Sequence, residues 1–118
     1  DTEIHFNPIL FEFNKYEITK QSKKILDKLV YIMNQNVAME IYIKAHTDSK
    51  GTAKYNLNLS EKRVQSTVNY ILSKGISTTR ISGKGFGEAE PRINCGDKCT
   101  DEEHFQNRRS EFLIVKDK

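Results

Sequence analysis

The residues best placed for chemistry lie between His46 and Arg63, in the sequence HTDSKGTAKYNLNLSEKR. This stretch contains the carboxylate of Asp48 and the guanidinium of Arg63, and several amide and hydroxyl side chains lie between them. A carboxylate accepts hydrogen bonds from an ammonium group, and a guanidinium donates two parallel hydrogen bonds to a carboxylate. An acid and a base held close together can therefore bind a zwitterion.

The elements on either side predict that both charges lie at one edge of a sheet. Residues 40–45 alternate apolar and polar side chains, which is the period of a half-buried strand, so Asp48 follows a strand's carboxyl end. Apolar residues at helical spacing come after the loop and stop at Gly75, which places Arg63 in the first turns of a helix. Ligands of α/β proteins commonly bind at this edge, where helix amino termini face anions.

Two interpretations of Asp48 and Arg63 are open from the residues alone. The simpler one is a salt bridge that pins the loop to the helix, and the other is a shared ligand. Asn56 lies seven residues before Arg63, so both side chains point nearly the same way if the helix begins that early. Asn14, Thr47 and Asn56 would ordinarily form local turn or cap hydrogen bonds.

The remaining pattern predicts an α/β fold of two layers, in the order β-α-β-α-β-(α)-β. The predicted elements are a strand over residues 9–13, a helix capped by Thr19, a strand over 40–45, a helix ending at Gly75, a glycine-rich strand over 80–87, a short helix from a capping box at 100–103 to about 106, and a strand over 109–115. Two long crossovers favour a mixed, partly parallel sheet with helices packed on it. The pattern does not determine the strand order.

Length and charge predict a single domain over residues 1–118. Its 19 Lys and Arg residues are interleaved with 16 Asp and Glu residues, which is typical of a solvated surface and not of a nucleic-acid-binding patch. No apolar run approaches the ~18 residues of a membrane-spanning helix, and no signal-peptide pattern opens the sequence. We therefore expect the sequence to be a piece of a larger protein.

The only two cysteines, Cys95 and Cys99, are predicted to form a disulfide. Gly96 between them permits the tight turn that so small a ring needs. A ring of this size contributes only about 2 kcal/mol in the chain-entropy model, so we expect it mainly to order the loop before residues 107–109. A disulfide also indicates an oxidising compartment and not the cytosol.

No motif in the sequence predicts an enzyme, a cofactor or a metal. The glycine-rich residues 83–87 lack the spacing of a phosphate-binding loop, which favours a tight strand. His46 and Asp48 lie two residues apart without a nucleophile elbow, which argues against a hydrolase triad. The histidines, including His5 and His104, and the two cysteines do not form the closely spaced pairs of a zinc site.

Several motifs, in a consistent order, resemble the OmpA-like domain, the peptidoglycan-binding module of outer membrane protein A, peptidoglycan-associated lipoprotein and flagellar stator proteins. The resemblance covers residues 9–115. Its motifs are FEFNK at 11–15, HTD at 46–48, Gly51, Tyr55-Asn56, Leu59-Ser60, Arg63, Gly75-Ile76, Arg80-Ile81, GFGE at 85–88, Pro91 and NRR at 107–109. The cysteine loop departs from the best-known members, so no detailed role is carried over between residues 91 and 106.

This resemblance implies a ligand for the acid and the base. In the family, the acid after His-Thr and the arginine after Leu-Ser grip the diaminopimelate of the peptidoglycan stem peptide. The corresponding residues here are Asp48, which would accept from the ammonium, and Arg63, which would clamp the carboxylate. The pattern adds further candidate ligand contacts, namely Thr47, Asn14, Asn56, Leu59 and Arg108, the last favoured over Arg109.

The resemblance also implies a non-enzymatic module that binds peptidoglycan non-covalently and tethers a larger envelope protein to the cell wall. It implies a periplasmic location at the outer membrane, with membrane contact made only through parts of the parent protein absent from this sequence. The alternative is a protein-interaction or assembly module of the same fold without wall binding. An amidase is a further rival, but it would need a metal site or nucleophile that the sequence lacks.

Overall fold

The computed structural model describes residues 7–116, and its elements follow the predicted order. They are β1 (Ile9–Leu10), α1 (Lys20–Gln35), β2 (Glu40–Ala45), α2 (Ala53–Ser73), β3 (Ile81–Gly85), α3 (Asp101–Asn107) and β4 (Arg109–Lys116), with 3₁₀ turns at Thr78–Arg80 and Gly96–Lys98. His5 lies outside the described residues. Within residues 7–116, no three His, Cys, Asp or Glu side chains are grouped to hold a metal, and no helix is long and apolar enough to cross a membrane.

The four strands form one mixed sheet in the order β1-β4-β2-β3. β2 and β3 are parallel, whereas β4 runs antiparallel to both β1 and β2. The apolar sides of α1 and α2 pack on one sheet face, so the two-layer α/β prediction is confirmed. The core contains Ile9, Phe11, Leu26, Leu29, Val30, Met33, Met39, Ile41, Ile43, Ile71, Ile76, Ile81 and Phe112.

Helix boundaries follow local signals that the sequence contains. The Thr19 side chain accepts a hydrogen bond from the Ser22 backbone N–H and so caps α1. Gly75, just beyond α2, has a φ of 95°, a conformation that glycine adopts without steric penalty. At α3, Thr100 and Glu103 form the predicted capping box.

The glycines of β3 allow α2 to pack closely on the sheet. A Cβ atom on Gly85 would lie 2.6 Å from the Glu61 backbone nitrogen in α2. One on Gly83 would lie 2.9 Å from the Val64 side chain in α2 and 2.8 Å from the Ile43 carbonyl oxygen in β2. The Gly85 N–H also donates to a Glu61 carboxylate oxygen at 2.9 Å. The predicted close approach of this strand to other backbone is therefore confirmed.

The first strand is shorter than the sequence predicts. β1 ends at Leu10, and Phe13 is half exposed instead of joining Phe11 in the core. Beyond β1, arginine side chains bind the carbonyl oxygens of Phe11, Glu12 and Lys15. The alternation of residues 9–13 suggested a longer strand because it does not reveal these distant hydrogen-bond partners.

Candidate functional site

A cavity of about 290 Å³ lies at the carboxyl end of β2, where the sequence predicted a site. We call it the Asp48 cavity. Four of its lining residues were not predicted, although they lie within or beside the predicted motifs: Phe13, Lys50, Gly51 and Tyr55. All seven predicted ligand residues line it, namely Asn14, Thr47, Asp48, Asn56, Leu59, Arg63 and Arg108.

Asp48 is buried and pairs with Arg108 instead of Arg63. Its Oδ2 atom lies 3.0 Å from Arg108 Nη1, and its Oδ1 atom accepts the Lys50 backbone N–H at 3.0 Å. No ion pair joins Asp48 to Arg63 among the described residues, so the simpler interpretation drawn from the sequence was wrong. Each carboxylate oxygen keeps acceptor capacity, because an ionised oxygen can accept more than one hydrogen bond.

Arg63 is fully buried and binds three backbone carbonyls, two in the turn at residues 12–15 and one at the end of β2. Its Nε, Nη1 and Nη2 atoms donate to the carbonyl oxygens of Lys15 at 2.9 Å, His46 at 2.9 Å and Glu12 at 3.3 Å. The guanidinium also lies 4.9 Å from the centre of the Phe11 ring. A guanidinium has five N–H donors, so two remain beyond these three bonds.

Burial lowers the pKa of Arg63 from its ordinary 12.5 to about 10, with Asp48 opposing the shift and Arg108 adding to it. The side chain therefore remains charged at neutral pH. Arg108 is also largely buried, and its Nε atom donates to the Phe11 carbonyl at 2.8 Å. The inner wall of the cavity thus has two guanidinium charges and one carboxylate charge.

The polar side chains of the cavity are held by bonds within the protein. Thr47 Oγ1 donates to the next carbonyl along the chain at 2.8 Å, and the Asn56 amide donates to Glu88 at 2.8 Å. Asn14 accepts from the Tyr55 hydroxyl and has a φ of 62°. The local hydrogen bonds expected for such residues therefore form, and they also fix the cavity wall.

The mouth of the cavity is aromatic and positively charged. Phe13 and Tyr55 each expose about half of their surface, 54% and 47% respectively. Lys50 Nζ lies 5.2 Å from the centre of the Phe13 ring, within the range of a cation–π contact. This lysine adds a third positive charge to the lining of the cavity.

A second group of charges, the His46 cluster, lies beside the cavity without lining it. The buried His46 ring stacks on Phe86, and its Nε2 atom lies 3.4 Å from Glu111. His46 and Arg109 together lower the pKa of Glu111 to about 2. The cluster consists of His46, Phe86, Glu111, Arg109, Lys44 and Glu90, the last two forming an ion pair of 2.6 Å.

The predicted disulfide joins Cys95 and Cys99, whose Cα atoms are 5.1 Å apart. Gly96 in the ring has a φ of 55°, and its carbonyl accepts a hydrogen bond from Ser49 at 3.0 Å. The same loop contacts Asn107, whose side chain binds the Ile93 backbone N–H and carbonyl at 2.8 and 3.0 Å. The loop is therefore bonded both to the segment after β2 and to residue 107.

Comparison with known sequences places the chain in the OmpA family. The OmpA family profile matches residues 10–108. The chain is 36% identical to the peptidoglycan-associated lipoprotein of Buchnera aphidicola, covering 91% of this chain and 60% of that protein. It is 40% identical over 86 residues to outer membrane protein A of Salmonella typhi, covering 70% of this chain and 24% of that protein. The chain thus spans only part of the length of these relatives.

Comparison with solved structures gives the same fold. The peptidoglycan-associated lipoprotein from Burkholderia pseudomallei superposes with a TM-score of 0.84 at 22% sequence identity, covering 91% of this chain and 88% of that one. At this identity the likeness concerns the fold alone. It agrees with the mixed sheet and the packed helices described above.

Proposed function

Because the chain belongs to the OmpA family, we propose that it binds peptidoglycan non-covalently through the diaminopimelate of the stem peptide. It would thereby tether an outer-membrane or periplasmic protein to the cell wall. The chain belongs to a family of wall-associated proteins and not of enzymes. The names of its relatives, peptidoglycan-associated lipoprotein and outer membrane protein A, support wall association at the outer membrane.

The excess of positive charge in the Asp48 cavity is the observation that best supports this ligand. Arg63 and Arg108 are both largely removed from water, and Asp48 is the one carboxylate among the lining residues. A buried charge without a partner is unfavourable by several kcal/mol, so a second carboxylate would stabilise this arrangement. A ligand carboxylate supplies the missing negative charge.

A zwitterionic centre fits the distribution of donors and acceptors. Asp48 has acceptor capacity left for a ligand ammonium, whereas Arg63 and Arg108 have N–H groups left for a carboxylate. The far end of diaminopimelate has both groups on one carbon atom. Charge-assisted hydrogen bonds of this kind contribute roughly 1.5 to 3 kcal/mol each.

Arg108 contributes more to the proposed binding of the ligand carboxylate than the sequence suggested. Its guanidinium donates to Asp48 and to the Phe11 carbonyl, which leaves three of its five N–H donors against two on Arg63. We therefore assign ligand carboxylate recognition to both arginines, with Arg63 also serving as a structural anchor. Asn14, Thr47, Asn56 and Leu59 shape the surrounding wall.

The test is a competition experiment against fixed, diaminopimelate-type peptidoglycan. Lysine differs from diaminopimelate by one carboxylate at the far end of the side chain. We expect free meso-diaminopimelate to displace the protein best and lysine to require about ten- to a hundredfold more, corresponding to one lost charge-assisted pair. Amidated diaminopimelate should fall between them or near lysine. Equal displacement by lysine would contradict the assignment.

Sedimentation with insoluble peptidoglycan separates this function from its rivals. Saturable co-sedimentation without release of soluble muropeptides is the expected result. A folded protein that stays in the supernatant would favour an assembly module of the same fold, and release of soluble wall fragments would indicate a wall-cleaving enzyme such as an amidase. Weak binding by a single copy is compatible with tethering, because many copies facing one polymer gain avidity.

A further inference from the structure

A second cavity, which the proposed binding of diaminopimelate does not involve, lies beside the Asp48 cavity. We call it the Asn94 pocket; it measures about 310 Å³, at the lower end of the ~300–1,000 Å³ typical of small-molecule sites. Thr47 lines both cavities, so they adjoin at this residue. The two cavities are therefore neighbours, separated by the buried Thr47.

The Asn94 pocket offers one free side-chain amide and one partly free carboxylate. Its other polar side chains, on Thr47, Ser49 and Asn107, already bond to the protein backbone. Asn94 is exposed, and its side chain makes no hydrogen bond within the described part of the chain. Glu88 is engaged through Oε1 alone, which accepts from the cavity side chain Asn56.

The remaining lining of this pocket is apolar and contains no cation. Ala89, Pro91 and Ile93 form its apolar surface, and Glu88 is its one charged residue. The pocket therefore does not complement a carboxylate or a phosphate. It complements a neutral group that has one N–H donor, one carbonyl acceptor and a methyl group, which together describe a secondary acetamide.

We propose that the Asn94 pocket binds the acetamido group of an N-acetylated amino sugar in the wall polymer. This inference rests on the proposed function, because the stem peptide in the Asp48 cavity would bring the sugar to the pocket. Glu88 accepts the amide N–H, Asn94 donates to the carbonyl oxygen, and the methyl group packs against Pro91 and Ile93. The Glu88 to Asn56 hydrogen bond links this pocket to the first cavity.

The disulfide loop shapes one wall of the pocket. Asn94 directly precedes Cys95, and the ring from Cys95 to Cys99 is bonded to the site segment through Ser49 and Gly96. The covalent ring limits the conformations available to the residues at its ends. Breaking it should therefore weaken binding in the Asn94 pocket more than binding in the Asp48 cavity.

The experiment is titration calorimetry of the oxidised protein with three ligands. They are a stem peptide containing diaminopimelate, the same peptide joined to an N-acetylated amino sugar, and a matched conjugate in which a hydroxyl replaces the acetamido group. We expect the acetylated conjugate to bind about tenfold more tightly than either of the others, as one added hydrogen bond to a charged group would give. Asn94→Ala should remove this gain and leave stem-peptide affinity unchanged.

Asn34→Ala is the matched control, since Asn34 is an exposed asparagine on α1, away from both cavities. A Cys95→Ser, Cys99→Ser double variant should lose part of the gain for the acetylated conjugate alone. Equal affinities for the three ligands, or an unchanged gain in Asn94→Ala, would overturn the acetamide site and leave the proposed function intact. If the wild-type protein binds no stem peptide, the proposed function fails. The acetamide site then stands only if the free N-acetylated sugar shifts the NMR resonance of the Asn94 side-chain amide, and without that shift it fails as well.

Discussion

The Asp48 cavity and the His46 cluster meet where Arg108 is followed by Arg109, yet their charges are arranged in opposite ways. Arg108 lines the cavity, in which two guanidinium groups face one carboxylate on the inner wall. Arg109 belongs to the cluster, in which Lys44 and Arg109 face Glu90 and Glu111. The excess positive charge of the cavity can pair with a negatively charged group of a ligand, whereas the cations and carboxylates of the cluster pair with one another.

Solvent reinforces this difference. Asp48 exposes 4% of its side chain, whereas Glu90 and Glu111 expose 47% and 36%. Water screens the two carboxylates of the cluster, although Arg109 and His46 are buried, so the loss of one of these carboxylates would be more easily tolerated. An excess of positive charge within a buried cavity is not screened by water in this way. Burial therefore makes the excess stronger evidence for a binding function than a count of the charges would be.

The change expected to have the largest effect is Arg63→Ala. It tests whether a charged residue that lines the cavity can also be essential for the stability of the fold. Arg63 lines the cavity but also satisfies three backbone carbonyls. We expect its loss to lower the free energy of unfolding by about 3 to 5 kcal/mol, measured by urea denaturation. Arg92→Ala, an exposed control, should change it by less than about 0.5 kcal/mol. If Arg63→Ala behaves like the control, its role as an anchor is refuted.

The second prediction compares Asp48→Asn with Glu111→Gln, two changes that each remove one negative charge. Asp48→Asn should weaken wall binding about ten- to a hundredfold, because the ligand ammonium loses a charged acceptor. Glu111→Gln should leave binding within about twofold and lower stability by about 1 kcal/mol. Binding isotherms and denaturation curves for both variants test this contrast. A loss of binding in Glu111→Gln would remove the distinction between the two regions.

The third prediction uses pH to isolate the cluster. Because His46 and Arg109 lower the pKa of Glu111 from 4.5 to about 2, its ionised form stabilises the fold above pH 4.5. This contribution should be lost as the pH falls from about 4.5 to 2. It amounts to about 1 kcal/mol after allowance for screening at the partly exposed side chain. Melting temperatures of the wild type and Glu111→Gln should converge in this interval; a constant difference would contradict the assignment.

The smallest expected effect comes from the rim of the cavity. Lys50→Met should weaken wall binding about two- to fivefold, since exposed charge pairs contribute only about 0.2 to 1 kcal/mol. The effect should diminish in 0.5 M salt, where the screening length is below ~5 Å. Lys54→Met, an exposed neighbour that does not line the cavity, serves as the control. Equal losses in both variants would show a general effect of net charge.

Local patterns predicted the elements and the places of Asp48 and Arg63 within the fold. Alternation identified β2, helical spacing identified α2, and a capping box located α3. The placement of Asp48 after a strand, and of Arg63 within a helix, followed from those elements. These predictions succeeded because they depend on residues that are close together in the sequence.

The partners of the charged residues could not be predicted in this way. Asp48 pairs with Arg108, 60 residues away, and Arg63 binds carbonyls 17, 48 and 51 residues away. Backbone carbonyls are identical in every residue, so no side-chain pattern marks the ones that a guanidinium will contact. The length of β1 was overestimated for the same reason.

The bond from Arg108 to the Phe11 carbonyl joins positions 97 residues apart and has a consequence for biosynthesis. A ribosome makes the amino-terminal part of a chain first, so an early segment cannot contact a later segment until that segment has been made. Here Arg108 is made 97 residues after Phe11. A nascent chain that has not reached Arg108 therefore lacks one wall of the Asp48 cavity, and the cavity can close only after that residue has been made.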